Sequence, residues 1–133
     1  MIQVTCALIV NSQEQVLVAQ RSHLMSLPLK WEFPGGKIEP NETPEACLIR
    51  EIKEELNIEI QVLKALPSNT HPYPNIIIKL IPFICAHLNG KIELKEHANF
   101  KWLLKEELLA LDWADADVPI VRNYLNIDGG NLY

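Results

Sequence analysis

Glu51 is followed three and four residues later by Glu54 and Glu55, a spacing that stacks side chains on one face of an α-helix. At about 100° per residue, with Glu51 set at zero, Glu54 falls near about −60° and Glu55 near about +40°, while Leu48, Ile52, Leu56 and Ile49 occupy about 60° to 160°. Carboxylates so placed repel one another by about a few tenths of a kcal/mol per pair. Hard divalent ions relieve that repulsion, since Mg²⁺ and Mn²⁺ prefer carboxylate and carbonyl oxygens. A solvated acidic stripe is the other reading of the same residues. Glu55 borders the apolar face, however, so its carboxylate falls at the edge of packed structure. The Gly35-Gly36 turn can bring backbone oxygens to the same side.

The chain signals the helix that this face requires. Thr43-Pro44-Glu45 offers an N-cap, a proline at the first helical position and an acid in the first turn. Asn57 suits the left-handed conformation at the other end. Upstream, residues 21–41 are rich in proline and glycine and read as a long functional loop. Residues 1–10 and 14–20 are β-branched runs with a polar break, the signature of a hairpin. Further strands are expected at 58–66, 76–86, 91–94 and 100–103, with Asn89-Gly90 as a tight hairpin turn, giving a sheet of about five or six strands. Residues 105–111 and 117–125 read as short helices, and about 126–133 as a frayed tail.

Length and composition bound the function. The 133 residues suit one domain spanning 1–133, and 48% apolar with 22% charged residues is ordinary for a globular chain. No apolar run approaches the roughly 20 residues of a membrane helix, and the N-terminus lacks a signal-peptide pattern, so the expected location is the cytoplasm. Cys6, Cys47 and Cys85 are an odd, scattered set that reads as core rather than as a disulfide or zinc framework. The net charge of −5 disfavours nucleic-acid polymers but leaves room for a small polyphosphate bridged by cations.

Together with Gly36 and Glu42, the run Arg50-Glu51-Ile52-Lys53-Glu54-Glu55-Leu56-Asn57-Ile58 resembles the Nudix box, G-x5-E-x7-R-E-U-x-E-E-x-G-U with U aliphatic. The late glycine alone is replaced, by Asn57, which tolerates the same backbone conformation. Similarity to the MutT branch extends through Ala19-Gln20-Arg21, the run from Trp31 to Lys37, Lys95-Glu96-His97 and Trp102. The resemblance implies an α/β fold, the Nudix α/β/α sandwich around a mixed β-sheet. It also implies a Mg²⁺-dependent hydrolase, with Mn²⁺ able to substitute, that cuts a nucleoside triphosphate into monophosphate and pyrophosphate, as a monomer or homodimer.

Carried over position by position, the resemblance gives Glu51, Glu54, Glu55 and the Gly35 carbonyl the task of holding the metal on the diphosphate. Glu96 matches the family's additional loop glutamate, a metal ligand or base. Arg50 would orient the box glutamates and Glu42 hold the loop-to-helix junction. Arg21 and Lys37 match phosphate contacts, a task suited to a guanidinium and an ammonium. Phe33 is the aromatic best placed beside a base, and Asp117 matches a position that reads the base edge. Blander readings remain for three of these: Arg50 as a surface partner of Glu54, Glu96 as a solvated acid, Asp117 as a helix cap. His23, His71, His87 and His97 form no ligand pair and read as non-catalytic, and the three tryptophans read as packing.

Substrate choice is divided. An oxidised dNTP such as 8-oxo-dGTP, in nucleotide-pool sanitation, ranks first. Ile76 stands where some guanine-specific relatives carry an arginine, and Ala116-Asp117-Val118-Pro119 is shared with the cytidine branch, so (d)CTP or 5-methyl-dCTP ranks second. A non-catalytic nucleotide-sensing module is the reading from another class, and the intact glutamate set argues against it.

Overall fold

In the computed structural model, which describes residues 1–127, the helix forms where its signals lie. α1 (Pro44–Leu56) starts at Thr43, whose side chain accepts the Ala46 N–H at 3.1 Å, satisfying one of the amides that a helix leaves unpaired at its first turn. It stops at Asn57, which takes φ 59°, ψ 32° and donates its N–H to the Lys53 carbonyl. The residue that departs from the box pattern therefore adopts the conformation in which glycine is favoured. Leu48, Ile52 and Leu56 are buried, and Ile49, at the far edge of the expected stripe, is exposed.

The sheet contains β1 (Ile2–Val10), β2 (Val16–Gln20), β3 (Trp31–Glu32), β4 (Gly35–Lys37), β5 (Glu59–Ala65), β6 (Asn69–Tyr73), β7 (Ile76–Asn89) and β8 (Asn99–Leu103). Its main path runs β3-β2-β1-β7-β5, with β4 on β1, β6 on β7 and β8 on β2. β1 lies parallel to β7 along its whole length and antiparallel to β4, which makes the sheet mixed. Strand residues alternate between two faces, and both faces are covered. Ala7 and Ile9 pack with Leu48, Ile52 and Leu56 of α1. Cys6, Leu8 and Val10 pack with Ile120, Val121 and Tyr124 of α2 (Val118–Leu125). This is the expected α/β/α sandwich, and it explains why β1 reads as a continuous apolar run. All three cysteines are free and buried. No helix among the described residues is long and apolar enough to cross a membrane.

Several sequence expectations give way. β1 and β2 meet as a hairpin at one register pair only, Val10↔Val16, before β2 leaves to pair with β3 and β8. The loop 21–41 contains β3 and β4, two strands too short to show a period. β6, with His71, Pro72 and Tyr73, carries no apolar alternation to mark it in the sequence, so among the described residues the sheet has eight strands rather than five or six. Residues 91–94 are not a strand: the N–H groups of Glu93 and Lys95 instead go to the carbonyls of Leu56 and Glu55, covering acceptors that the end of α1 leaves open. Residues 105–110 form a 3-10 rather than an α-helix. At the start of the expected tail, the Ile127 carbonyl accepts from Lys105 Nζ at 2.7 Å and its side chain packs on the α2 core; 128–133 lie outside the described residues.

If Asn57 is retained for its backbone conformation, Asn57→Gly leaves stability unchanged or slightly raised. Asn57→Val should cost about 1–2 kcal/mol, read as a lower urea midpoint with an unchanged slope.

Candidate active site

The antiparallel pairing of β1 with β2 ends after one register pair, and beyond it β4 takes over as the neighbour of β1. Where the two strands part, a cavity of about 890 Å³ opens, walled by residues from β1, β3, β4, α1 and the strand-flanking loops. Gly36 is placed there by the pairing Thr5↔Gly36. A Cβ on Gly36 would overlap the Glu51 carboxylate, so the absence of a side chain is what lets this acid lie across the β4 backbone.

Arg50, itself not among the cavity residues, organises acids around its guanidinium. Its guanidinium grips Glu42 through two bonds of 2.7 and 3.0 Å, reaches Glu51 at 2.9 Å and Glu54 at 3.3 Å, and donates to the Lys37 carbonyl at 3.4 Å. Loop, strand and helix thus share one cation, with the forked geometry that suits a carboxylate. Hydrogen bonding to Arg50, and then to the Glu39 amide, holds Glu42 down to about 2.

Inside the cavity the acids face one another. Glu55 is only 12% exposed in its side chain. Burial, followed by the hydrogen bond and charge of Glu51 and the charges of Glu32 and Glu96, pushes its carboxyl up to about 10. Glu54 by contrast is 60% exposed, leans on Arg50 and is not among the cavity residues. Among the described residues no three His, Cys, Asp or Glu side chains form a finished coordination sphere. The donor set nevertheless fits a hard divalent cation: Glu51, Glu55 and Glu96 converge with Gly35 in one cavity, and a buried acid crowded by like charges is stabilised by the ion that neutralises them.

The remaining expected residues divide. Arg21, Phe33, Lys37 and Asp117 all line the same cavity. Arg21 is engaged, pairing with Glu32 at 2.7 Å and with the Ser26 hydroxyl at 3.0 Å. Phe33 is buried and tilts against Trp113 with ring centroids 4.8 Å apart. Asp117 stands before α2 but makes no side-chain cap. Instead it accepts the Phe33 N–H at 2.9 Å, and burial pushes its carboxyl well above the usual range. Strand β6 holds the residue before it. The Tyr73 hydroxyl accepts the Ala116 N–H at 2.9 Å and Asn69 donates to the Ala116 carbonyl at 3.0 Å. Sequence reasoning also missed Glu32 and His97. His97 is buried against Glu32 at 2.9 Å and lies 3.9 Å from Glu55; its adjacency to Glu96 was the available signal.

Comparison with known proteins bears on this arrangement. The pattern of the NUDIX domain family matches residues 1–124. The chain belongs to the Nudix family. Nudix hydrolases act on phosphorus anhydrides and generally use divalent metal ions. The Escherichia coli K12 CTP pyrophosphohydrolase is 34% identical over 125 residues, covering 94% of this chain and 92% of that one. The Proteus vulgaris 8-oxo-dGTP diphosphatase is 33% identical over 95 residues, covering 71% and 85%. The solution structure of the E. coli ORF135 protein superposes with a TM-score of 0.86 at 32% identity, covering 98% and 93%.

Because Glu42 carries a folded value near 2, below the ordinary glutamate value of about 4.3, the unfolded chain binds more protons between those limits. Its contribution to stability is complete above about pH 4.5 and is lost as pH falls toward about 2. Thermal melts should show Glu42→Gln melting below wild type at pH 7, with the gap closing on acidification through that window.

Proposed function

We propose that this Nudix hydrolase is a MutT-like, Mg²⁺-dependent nucleoside triphosphate pyrophosphohydrolase, releasing a monophosphate and pyrophosphate, with an oxidised dNTP such as 8-oxo-dGTP as its substrate. The observation that carries the reading is one cavity holding both halves of such a ligand's chemistry. Glu51, Glu55, Glu96 and the cations Arg21 and Lys37 line it together with the apolar side chains of Val4, Phe33, Tyr73, Ile76 and Ile78 and with Asp117.

In this reading Glu51, Glu55 and Glu96, with the Gly35 carbonyl, hold the divalent ion, and Glu54 joins from the rim. When bound, that ion supplies charge neutralisation of the phosphates and acidification of the attacking water. Arg21 and Lys37 orient the phosphates, Arg50 holds Glu51 in place, and one of the cavity glutamates takes the proton of the water. Positioning and charge stabilisation carry most of the barrier reduction in such a transfer.

Asp117 supports the choice of base. Its carboxyl, pushed up by burial, accepts the Phe33 N–H through Oδ2 and in its acid form offers a donor beside an acceptor. The oxidised guanine edge, with N7–H beside O6, presents the matching acceptor and donor. Unmodified guanine presents two acceptors there and does not match. Cytosine, with its exocyclic amine beside N3, matches as well. That fit, the apolar Ile76 in the wall and the 34% identity to the E. coli CTP pyrophosphohydrolase favour (d)CTP as the second reading.

Pyrophosphate release from a panel of 8-oxo-dGTP, dGTP, dCTP and 5-methyl-dCTP with Mg²⁺ tests the assignment. Turnover of 8-oxo-dGTP well above dGTP is expected, and no turnover of any of them would overturn it. Glu55→Gln should stay folded and lose about 10²–10⁴-fold in kcat. Asp117→Asn keeps a donor beside an acceptor and should retain the preference, whereas Asp117→Ala should reduce discrimination between 8-oxo-dGTP and dGTP by about 10- to 100-fold in kcat/KM.

A further inference from the structure

Strand β6 holds a single peptide with two side chains. The Tyr73 hydroxyl accepts the Ala116 N–H at 2.9 Å, and Asn69 donates to the Ala116 carbonyl at 3.0 Å. A phenol that accepts one hydrogen bond still has its own proton to give. Among the described residues no group takes that proton. The neighbouring carboxyl, Asp117, is bonded only to the Phe33 N–H, through Oδ2. Burial pushes the Tyr73 phenol above its ordinary value, which is about 10, so the proton is present at neutral pH. The ring is fixed on its other sides. It packs against the α2 core, tilts against His71 with centroids 4.5 Å apart and stands opposite Ile76 in the ladder. Tyr73, Ala116 and Asp117 all line the cavity, so a donor with an unused proton is held next to Asp117.

We propose that Tyr73 is a specificity-determining residue whose hydroxyl, seated on the Ala116 N–H, donates to O8 of an oxidised purine while Asp117 meets the N7–H and O6 of the same base. The inference rests on the reading of this cavity as the site of an oxidised dNTP. Along the oxidised guanine edge O6, N7–H and O8 run acceptor, donor, acceptor. Asp117 answers the first two, and the remaining acceptor needs a second donor. Unmodified guanine carries a C–H in place of O8. It would cover the Tyr73 hydroxyl without offering it an acceptor, a cost that adds to the mismatch at N7. The two reading groups come from separate elements, β6 and the turn before α2, and the Ala116 peptide keeps them in register. A clamp alone would use only the oxygen of the hydroxyl; a reader of O8 uses its proton as well.

Three triphosphates separate the two roles. 8-Thio-dGTP keeps N7–H and O6 and replaces O8 with sulfur, a weak acceptor, whereas dGTP lacks both N7–H and O8. kcat/KM is measured for 8-oxo-dGTP, 8-thio-dGTP and dGTP with Mg²⁺ in wild type, Tyr73→Phe and Asn69→Ala. Wild type is expected to prefer 8-oxo-dGTP over 8-thio-dGTP by about 10-fold or more, and Tyr73→Phe to lose about 10-fold of that preference. Asn69→Ala loosens the same peptide without touching the hydroxyl. It should keep the wild-type ratio of 8-oxo-dGTP to 8-thio-dGTP even where its discrimination against dGTP falls, because Asp117 meets the same N7–H and O6 in both analogues.

Equal kcat/KM for 8-oxo-dGTP and 8-thio-dGTP in wild type overturns the inference without any variant. So does a folded Tyr73→Phe that keeps the wild-type ratio, or an Asn69→Ala that narrows it as far as Tyr73→Phe does. Wild-type protein that turns over no 8-oxo-dGTP overturns the reading of the site and this inference with it. Wild-type protein that turns it over, with the ratio untouched in Tyr73→Phe, overturns the inference alone.

Discussion

A carboxyl group sunk in a protein among other carboxyl groups is held against both desolvation and like charge, and Glu55 is in that position. Two arrangements maintain it. The sheet-facing side of α1 is pinned by Leu48, Ile52 and Leu56, all fully buried, so the helix cannot roll to expose its acid. Arg50 pairs with Glu51 and Glu54 and clasps Glu42, and its own guanidinium stays out of the cavity that Glu55 faces. A site of this kind stores unfavourable electrostatics that a divalent cation and its polyphosphate release on binding.

The second constraint is topological. Parallel pairing of β1 with β7 along its full length forms the rigid middle of the sheet, and the parting of β1 from β2 opens the cavity beside it. β4 fills the first half of the gap; Gly35 lets its backbone close on Thr5 and Cys6 of β1, and Gly36 leaves room for the Glu51 carboxylate of α1. Because the opening lies beside β1 and reaches toward both covering layers, acids from α1 and Asp117 from the turn before α2 converge on one ligand-sized space.

Much of this was legible in the residues because it depends on local chemistry. The Thr43 cap, the Pro44 start and the Asn57 stop each act within one turn, so the helix and its acidic face could be read directly. Glu51 and Glu55 followed from angular position. The exposure of Glu54 agrees with the same angles, which put it on the flank away from the apolar stripe; it was the resemblance that grouped it with the other two as a metal ligand. β6 stayed hidden because its burial is partial and it carries a proline, and its role in placing Asp117 through Tyr73 and Asn69 is entirely long-range. His97 has no histidine at helical spacing to mark it in the sequence; its neighbours, Glu32 and Glu55, are distant in sequence and meet it only through the fold.

Anomalous diffraction from crystals of the protein grown with Mn²⁺ and a non-hydrolysable nucleoside triphosphate measures the central claim directly. The account predicts a manganese peak bonded to Glu55 and Glu51 beside Gly35, with the phosphates on its far side. Nucleotide seated in the cavity with no manganese touching Glu55, or manganese bound only by exposed acids such as Glu54, would contradict it.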